Sequence, residues 1–235
     1  MQDLMQLIES RRSERGLFDP GRAIPVEDMG KILEAARWAP TAHNMQNFEI
    51  VVVDDRQLLA AIGAIRTPPN LTFIRENYPQ LSFSEDELRR RKTGIMGTMF
   101  PKSWQTPDPD PEEIEKEDRG AFMARQIESS AAMLFVLYDP SRRAPASEGD
   151  FLGILSLGCA MENMWLMANS LGIGVHIVSS LSQGKAAAEI AKLLNIPDRF
   201  SIAFSMRLGY PATAVPSLRV RRDRDDLVHR NGFRN

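Results

Sequence analysis

An α+β fold is predicted for this 235-residue chain by three features. Helical and strand-like stretches mix without strict βαβ alternation, which argues against a doubly wound sheet. Two short apolar runs, Phe48–Val53 and Met133–Tyr138, read as buried strands. A longer stretch from about Gly149 to Leu171 is apolar on nearly every side, which predicts a central helix covered all round, as one shared with a second copy of the chain would be.

The elements follow in order. A first helix is expected from Asp3 to Arg12, stopping near Gly16. A second starts after Pro25, with Val26, Met29, Leu33 and Ala36 at helical spacing, Ile32 and Ala39 widening the stripe, and Pro40 ending it. The strand Phe48–Val53 leads into a helix reaching about Ile65. Residues 66–110 hold Pro68, Pro69, Pro79, Pro101, Pro107 and Pro109 among scattered aromatics and methionines. One helix is expected there, at the capping-box spacing Ser84-Glu-Asp-Glu87, and loops elsewhere. An insertion of this length reads as a lid or a mobile segment. Asp110-Pro111-Glu112-Glu113 starts a helix that runs to about Ser130. After the helix at 149–171, Gly172-Ile-Gly174 breaks into a strand, Val175–Val178. Ser182 is expected to cap a helix ending near Leu194, and a last strand spans about Phe200 to Leu208. The whole reads as one domain over 1–235, with an inserted cap at about 66–110 and a C-terminal arm at about 212–235.

Composition bounds the function. With 43% hydrophobic and 26% charged residues the chain is ordinary globular material. A net charge of -2 and a pI near 6.0 lack the basic footprint of a nucleic-acid or membrane-surface binder. The N-terminal stretch is amphipathic and too polar for a signal segment, and no run of about 18 apolar residues stands out. A cytoplasmic protein is expected, in which the sequon at Asn70 goes unused. One cysteine, Cys159, allows no intrachain disulfide and reads as helix packing.

Several chemistries lack their parts. Gly172-x-Gly174 misses a third glycine and precedes a strand, so it is no dinucleotide fingerprint. Ser182-Gln-Gly-Lys185 is no phosphate loop, and there is no Gly-x-Ser-x-Gly elbow. His43, His176 and His229 lie far apart in sequence, so no metal site is expected.

Three polar clusters remain at element ends: Arg11-Arg12-Ser13-Glu14-Arg15, Pro40-Thr-Ala-His-Asn-Met-Gln46, and Arg219-Val-Arg221. Alone, each is ordinary: a basic helix end, a turn, a solvated tail. Together, and in this order, they resemble the FMN-dependent nitroreductase superfamily. That family has an Arg-Arg-Ser-x-Arg stretch after a short helix, here Arg11–Arg15. It then has an Ala-Ala-Arg-x-Ala-Pro-Ser/Thr-x-x-Asn-x-Gln segment before a buried strand, here Ala35–Gln46. A long helix ends in Leu171-Gly-Ile-Gly174, a later turn is Leu208-Gly-Tyr-Pro211, and an arginine, here Arg221, precedes Asp225-Asp-Leu-Val228. The match spans most of the chain except about residues 66–120.

The resemblance implies a mixed or antiparallel sheet flanked by helices in an interlocked homodimer. It also implies an FMN-dependent oxidoreductase that takes electrons from NADH or NADPH and gives them to a nitroaromatic or quinone-like acceptor in a ping-pong cycle. The cofactor carries the chemistry, so no side chain is expected as general acid or base. Arg11, Ser13, Arg219 and Arg221 would serve the phosphate, which arginine forks match bidentately, and Arg12 would also bind the cofactor. Arg15 would stand near flavin N1 and O2, Asn44 and Gln46 at the pyrimidine edge, and the backbone of Val178, Ser179 and Ser180 near N5 and O4. Phe73, Tyr78, Phe83, Met96, Met99, Phe100 and Trp104 are aromatics and methionines of the insertion; they either line an acceptor pocket or pack the insertion itself, Met96, Phe100 and Trp104 being the pocket candidates. The chain departs from the family at Asn47-Phe48, where Pro-Trp is common, and at Ser179-Ser180, where Glu-Gly is common. Reductive dehalogenation, dehydrogenation, or FMN binding without turnover stay open on the same scaffold.

Overall fold

The computed structural model describes residues 3–65, 71–97, 100–106, 108, 110–116, 119–213 and 218–233. Asn70 of the sequon and Met99 of the insertion lie outside them, as do the side chains of Phe73 and Tyr78. The chain divides into two compact units, Met1–Thr67 with Gly120–Val215, and Pro68–Arg119 with Pro216–Asn235.

The first unit is built on a four-stranded antiparallel sheet in the order β1-β2-β4-β3, from β1 (Phe48–Val53), β2 (Ala132–Tyr138), β3 (Gly174–Ile177) and β4 (Ser201–Gly209). In β2 six successive residues are buried because both faces of the sheet are covered. The period of two then splits them. Leu134 and Val136 pack with Ile32 and Ala36 of α2 (Val26–Arg37) and with Met164, Trp165 and Ala168 of α8 (Phe151–Ser170). Met133, Phe135 and Leu137 pack against Leu59 and Ile62 of α3 (Arg56–Gly63), Ile127 of α7 (Arg119–Glu128) and Ile190 of α9 (Gly184–Leu193). Each such fully buried side chain contributes about 1.5–3 kcal/mol.

Some elements differ from expectation. α1 is Leu4–Ser10 and ends before the arginine cluster, with Arg11 already extended at ψ 132. Val26, expected on the apolar stripe of α2, is its first residue and is 90% exposed; Ile32 and Ala36 carry the burial. Ser182 caps nothing: it ends a 3-10 turn at Ser179–Ser182, and α9 begins two residues later from an extended Gln183. The helix expected from Asp110 to Ser130 is described as α6 (Pro111–Lys116) and α7, with Asp110 Oδ1 accepting from Glu112 N at 2.9 Å.

The helix at 151–170 is not covered all round. In its C-terminal half Met164, Trp165 and Ala168 are buried, whereas Phe151, Ile154 and Leu155 stay 63%, 60% and 50% exposed. By length and composition Glu148–Ser170 could cross a membrane, at a mean hydropathy of 1.4. Ser156, Glu162 and Asn163 interrupt the apolar surface, and each makes a polar contact to another part of the unit.

Two glycines explain the family-like turns. Gly174 and Gly209 are cross-strand partners. A Cβ on Gly209 would lie 2.7 Å from Phe18 Cγ, and one on Gly174 would lie 2.8 Å from Glu14 Cγ. Their lack of side chains lets residues 13–18 lie against the β3–β4 edge.

The second unit holds α4 (Leu71–Leu81), α5 (Glu85–Arg91), α6 and a short α10 (Arg224–Leu227). α4 was expected as loop. Pro79 falls within its last turn, and Ile74 anchors the helix in a small core with Trp104 and Ile114. α5 has its expected cap, Glu87 N to Ser84 Oγ at 3.2 Å, and i,i+4 pairs Glu85–Arg89 and Glu87–Arg91. Lys92, at its left-handed C-terminus, pairs with Asp223 of the C-terminal stretch.

Candidate functional site

The arginine cluster leaves α1 as an extended strip along β3. Ser13 bridges Val175 in parallel, and Glu14 N donates to Val175 O at 2.8 Å. The strip's cations differ in what already holds them. Arg11 pairs with Glu162 at 3.1 Å and lies 4.5 Å over the Trp165 ring. Arg12 pairs with the buried Glu14, and its carbonyl accepts from Trp165 Nε1 at 3.3 Å. Arg15 is exposed and makes no ion pair among the described residues.

The backbone under Arg15 is held from below. Arg207, fully buried on β4, donates to Gln126 O at 2.5 Å, to Glu14 O at 3.1 Å and to Gly16 O, and it lies 4.4 Å over the Phe18 ring. Gln126 Nε2 donates to Arg15 O. The Arg207 Nε also donates to His176 Nδ1 at 3.1 Å. Burial draws the Arg207 pKa down to about 10, so it remains a cation at neutral pH. Burial and then the nearby cations Arg207 and Arg15 push His176 down to about 3, so its imidazole is neutral. Sequence reasoning missed both residues. No local signal marks Arg207: Ile202, Phe204, Met206 and Leu208 alternate as the apolar face of β4, which leaves Arg207 on the opposite face, and only tertiary packing buries it.

The second cluster is a strained loop. His43, Asn44 and Gln46 have φ of 53, 54 and 43, left-handed values that cost a non-glycine residue about 1 kcal/mol or more each. The loop is held by Thr41 Oγ1, which accepts from Gln46 N at 3.2 Å, and by Ser156 of α8, which accepts from Ala42 N at 3.0 Å. Gln46 Nε2 donates to Asn44 Oδ1 at 3.1 Å, and both side chains are exposed. Next to them Asn47 is buried, with no partner for its Oδ1.

α8 supports both clusters, through Ser156 for the loop and Glu162 and Trp165 for the arginine strip. At 1.5 Å per residue these supports stand about 9–14 Å apart along the helix.

The remaining candidates are placed as follows. Val178 is buried and its N–H is engaged by Ser205 O at 2.9 Å, while Ser179 and Ser180 are exposed. In the second unit, Arg219 and Arg221 are exposed, and Arg221 donates to Val220 O at 2.7 Å. Phe100 stacks on Trp104 at 5.7 Å, Trp104 is buried in that unit's own core, and Met96 bridges Phe83. Among the described residues no cluster of His, Cys, Asp or Glu could hold a metal ion.

Chemically, the first unit offers a cation without an ion pair among the described residues, a half-buried hydroxyl at Ser13 and two exposed carboxamides. Such a set fits an anionic ligand carrying a polar heterocycle.

An NADPH-flavin oxidoreductase of Vibrio harveyi is 30% identical over 115 residues, 46% of this chain and 47% of that protein. A nitrobenzene nitroreductase of Ectopseudomonas oleovorans is 25% identical over 89% of this chain and 87% of that protein. The crystal structure of a nitroreductase with bound FMN from Bacteroides fragilis superimposes with a TM-score of 0.57 at 19% identity, covering 94% of this chain and 96% of that one. The profile of the nitroreductase family matches residues 8–210, from the last turns of α1 through the strained loop, the long α8 and the Leu-Gly-Tyr turn, and the chain therefore belongs to the nitroreductase family.

Proposed function

We propose that this chain is an FMN-dependent oxidoreductase that takes electrons from NADH or NADPH and passes them to a small organic acceptor of the nitroaromatic or quinone type. The observation that carries the reading is Arg15: an exposed guanidinium without an ion pair, fixed at its backbone and set two residues from Ser13 on a strip locked to β3. The names of the relatives support it, since one is a flavin oxidoreductase using NADPH, one reduces nitrobenzene, and one holds FMN.

When bound, FMN supplies a ring that takes hydride from a reduced nicotinamide and yields electrons to the acceptor in a second half-reaction, a ping-pong cycle. The protein binds and orients. Arg11 and Ser13 hold the phosphate, with Arg12 between them on the strip. Arg15 stabilises negative charge on the flavin's pyrimidine side. Asn44 and Gln46 read that ring's polar edge, each carboxamide having both donor and acceptor. Because Val178 N–H is already engaged, Ser179 and Ser180 carry the role on that side. Met96 and Phe100 are the acceptor-pocket candidates of the inserted segment, while Trp104 packs that segment's core with Ile74 and Ile114. The exposed apolar end of α8 is covered by a second copy in a homodimer.

Anaerobic addition of NADH or NADPH to the purified protein tests this. The expected result is a yellow protein whose visible flavin band bleaches. A yellow protein that does not bleach leaves a flavin binder without nicotinamide turnover. A colourless protein that also refuses added FMN refutes the reading.

A further inference from the structure

Three consecutive carbonyls, those of Glu14, Arg15 and Gly16, are all gripped by two buried side chains from distant parts of the chain. Arg207 Nη2 donates to Glu14 O at 3.1 Å and to Gly16 O, and Gln126 Nε2 donates to Arg15 O. Both side chains are sealed, Arg207 at 0% and Gln126 at 3% exposure. Arg207 Nη1 also binds Gln126 O at 2.5 Å, so the two grips are tied to each other. His176 accepts from the Nε, which stops the guanidinium from rotating out of plane with its carbonyls.

An arginine is costly to bury, and a backbone strip needs no cation to lie on a sheet edge. What this arrangement does is fix the peptide planes on both sides of the Arg15 Cα, and with them the direction of its Cα–Cβ bond. The Arg15 side chain, by contrast, is exposed and free of ion pairs among the described residues.

We propose that Arg207, acting with Gln126, is a positioning residue for Arg15, and that this clamp rather than any contact of Arg207 with a ligand tunes the flavin that Arg15 faces. The inference rests on the proposed role of Arg15 and deepens it. Lysine cannot replace the clamp, since one ammonium lacks the planar fork that reaches Gln126, Glu14, Gly16 and His176 together.

The test is the midpoint potential of FMN bound to the holoprotein, with thermal stability measured alongside. Removing a cation beside the reduced flavin disfavours that form, so Arg15→Gln lowers the potential. Arg207→Lys and Gln126→Met are expected to lower it in the same direction, each weakening the preference for reduced over oxidised FMN about tenfold, which reads as about 30 mV for a two-electron couple. In the Arg15→Gln background neither adds a further shift, because the group they position is gone. Should Arg207→Lys fail to fold, Gln126→Met carries the test alone, since it removes only the bond to Arg15 O. The proposal is overturned if Gln126→Met and Arg207→Lys lower the melting temperature yet leave the potential unchanged while Arg15→Gln moves it. It is equally overturned if their shifts are the same with and without Arg15, since a general loosening acts in both backgrounds. If Arg15→Gln itself leaves the potential unmoved, the role of Arg15 fails first, and the clamp has no flavin function.

Discussion

Arg207 and His176 stand opposite each other on β4 and β3, and the guanidinium Nε donates to the imidazole Nδ1 at 3.1 Å. This bond fixes the tautomer. Nδ1 keeps its lone pair, so the proton of the neutral ring sits on Nε2. Protonating Nδ1 would break the bond and set two cations against each other.

A pH dependence follows. His176 has its folded pKa pushed down to about 3, below the usual value of 6.5, so the unfolded chain binds the extra proton first. The stabilising contribution is complete above about pH 6.5 and is lost progressively as pH falls towards 3. Urea unfolding midpoints between pH 7 and about 4 should fall more steeply for the native chain than for His176→Gln. Equal slopes would show that this ring does not govern acid stability.

Gly209→Ala places a methyl 2.7 Å from Phe18 Cγ, and Phe18 is only 1% exposed, so the ring has little room to move. A loss of about 1–3 kcal/mol is expected, as for other overpacked cores. Gly30→Ala, whose Cβ meets nothing within 4 Å, should be neutral or slightly stabilising. Denaturant unfolding of the two variants checks the contrast.

Ile154 is 60% exposed midway along an apolar patch with Phe151 and Leu155. If a second copy covers this patch, Ile154→Glu places a charge in the interface and shifts the mass measured by light scattering from dimer to monomer. Native chain that is monomeric at micromolar concentration would remove the basis for the dimer.

Arg221 is exposed and bonds only its neighbour's carbonyl among the described contacts. Its loss should therefore leave stability within about 0.5 kcal/mol, as at most surface sites. FMN affinity is expected to fall roughly ten- to hundredfold in Arg221→Ala, the worth of one charge-assisted hydrogen bond. Fluorescence quenching titrations with FMN measure it, and unchanged affinity would move the phosphate contact elsewhere.

Much of the fold was legible because its signals are local. β2 announces itself by an unbroken apolar run, and the caps at Ser84 and Asp110 by a side chain within three residues of the N–H it meets. The arginine strip and the Thr41–Gln46 loop were legible as motifs, since their residue types and order persist along the chain. α4 was not, because prolines weigh against a helix locally while Ile74 is held by Trp104 and Ile114, which lie far off in sequence.

The sequence by itself determined most of the helices and strands, α4 apart, and the family that the order of motifs marks. Only the tertiary structure decided which partners those faces meet. Arg207 grips a carbonyl 191 residues away, a contact that exists only once β4 lies beside β3 and the strip lies on both. Likewise α8 is apolar on nearly every side by composition, but whether Trp165 or Ile154 is buried depends on what packs there. Periodicity records the direction in which a side chain points. The group waiting at the end of it is set by chain segments brought together across the whole fold, where no local pattern can reach.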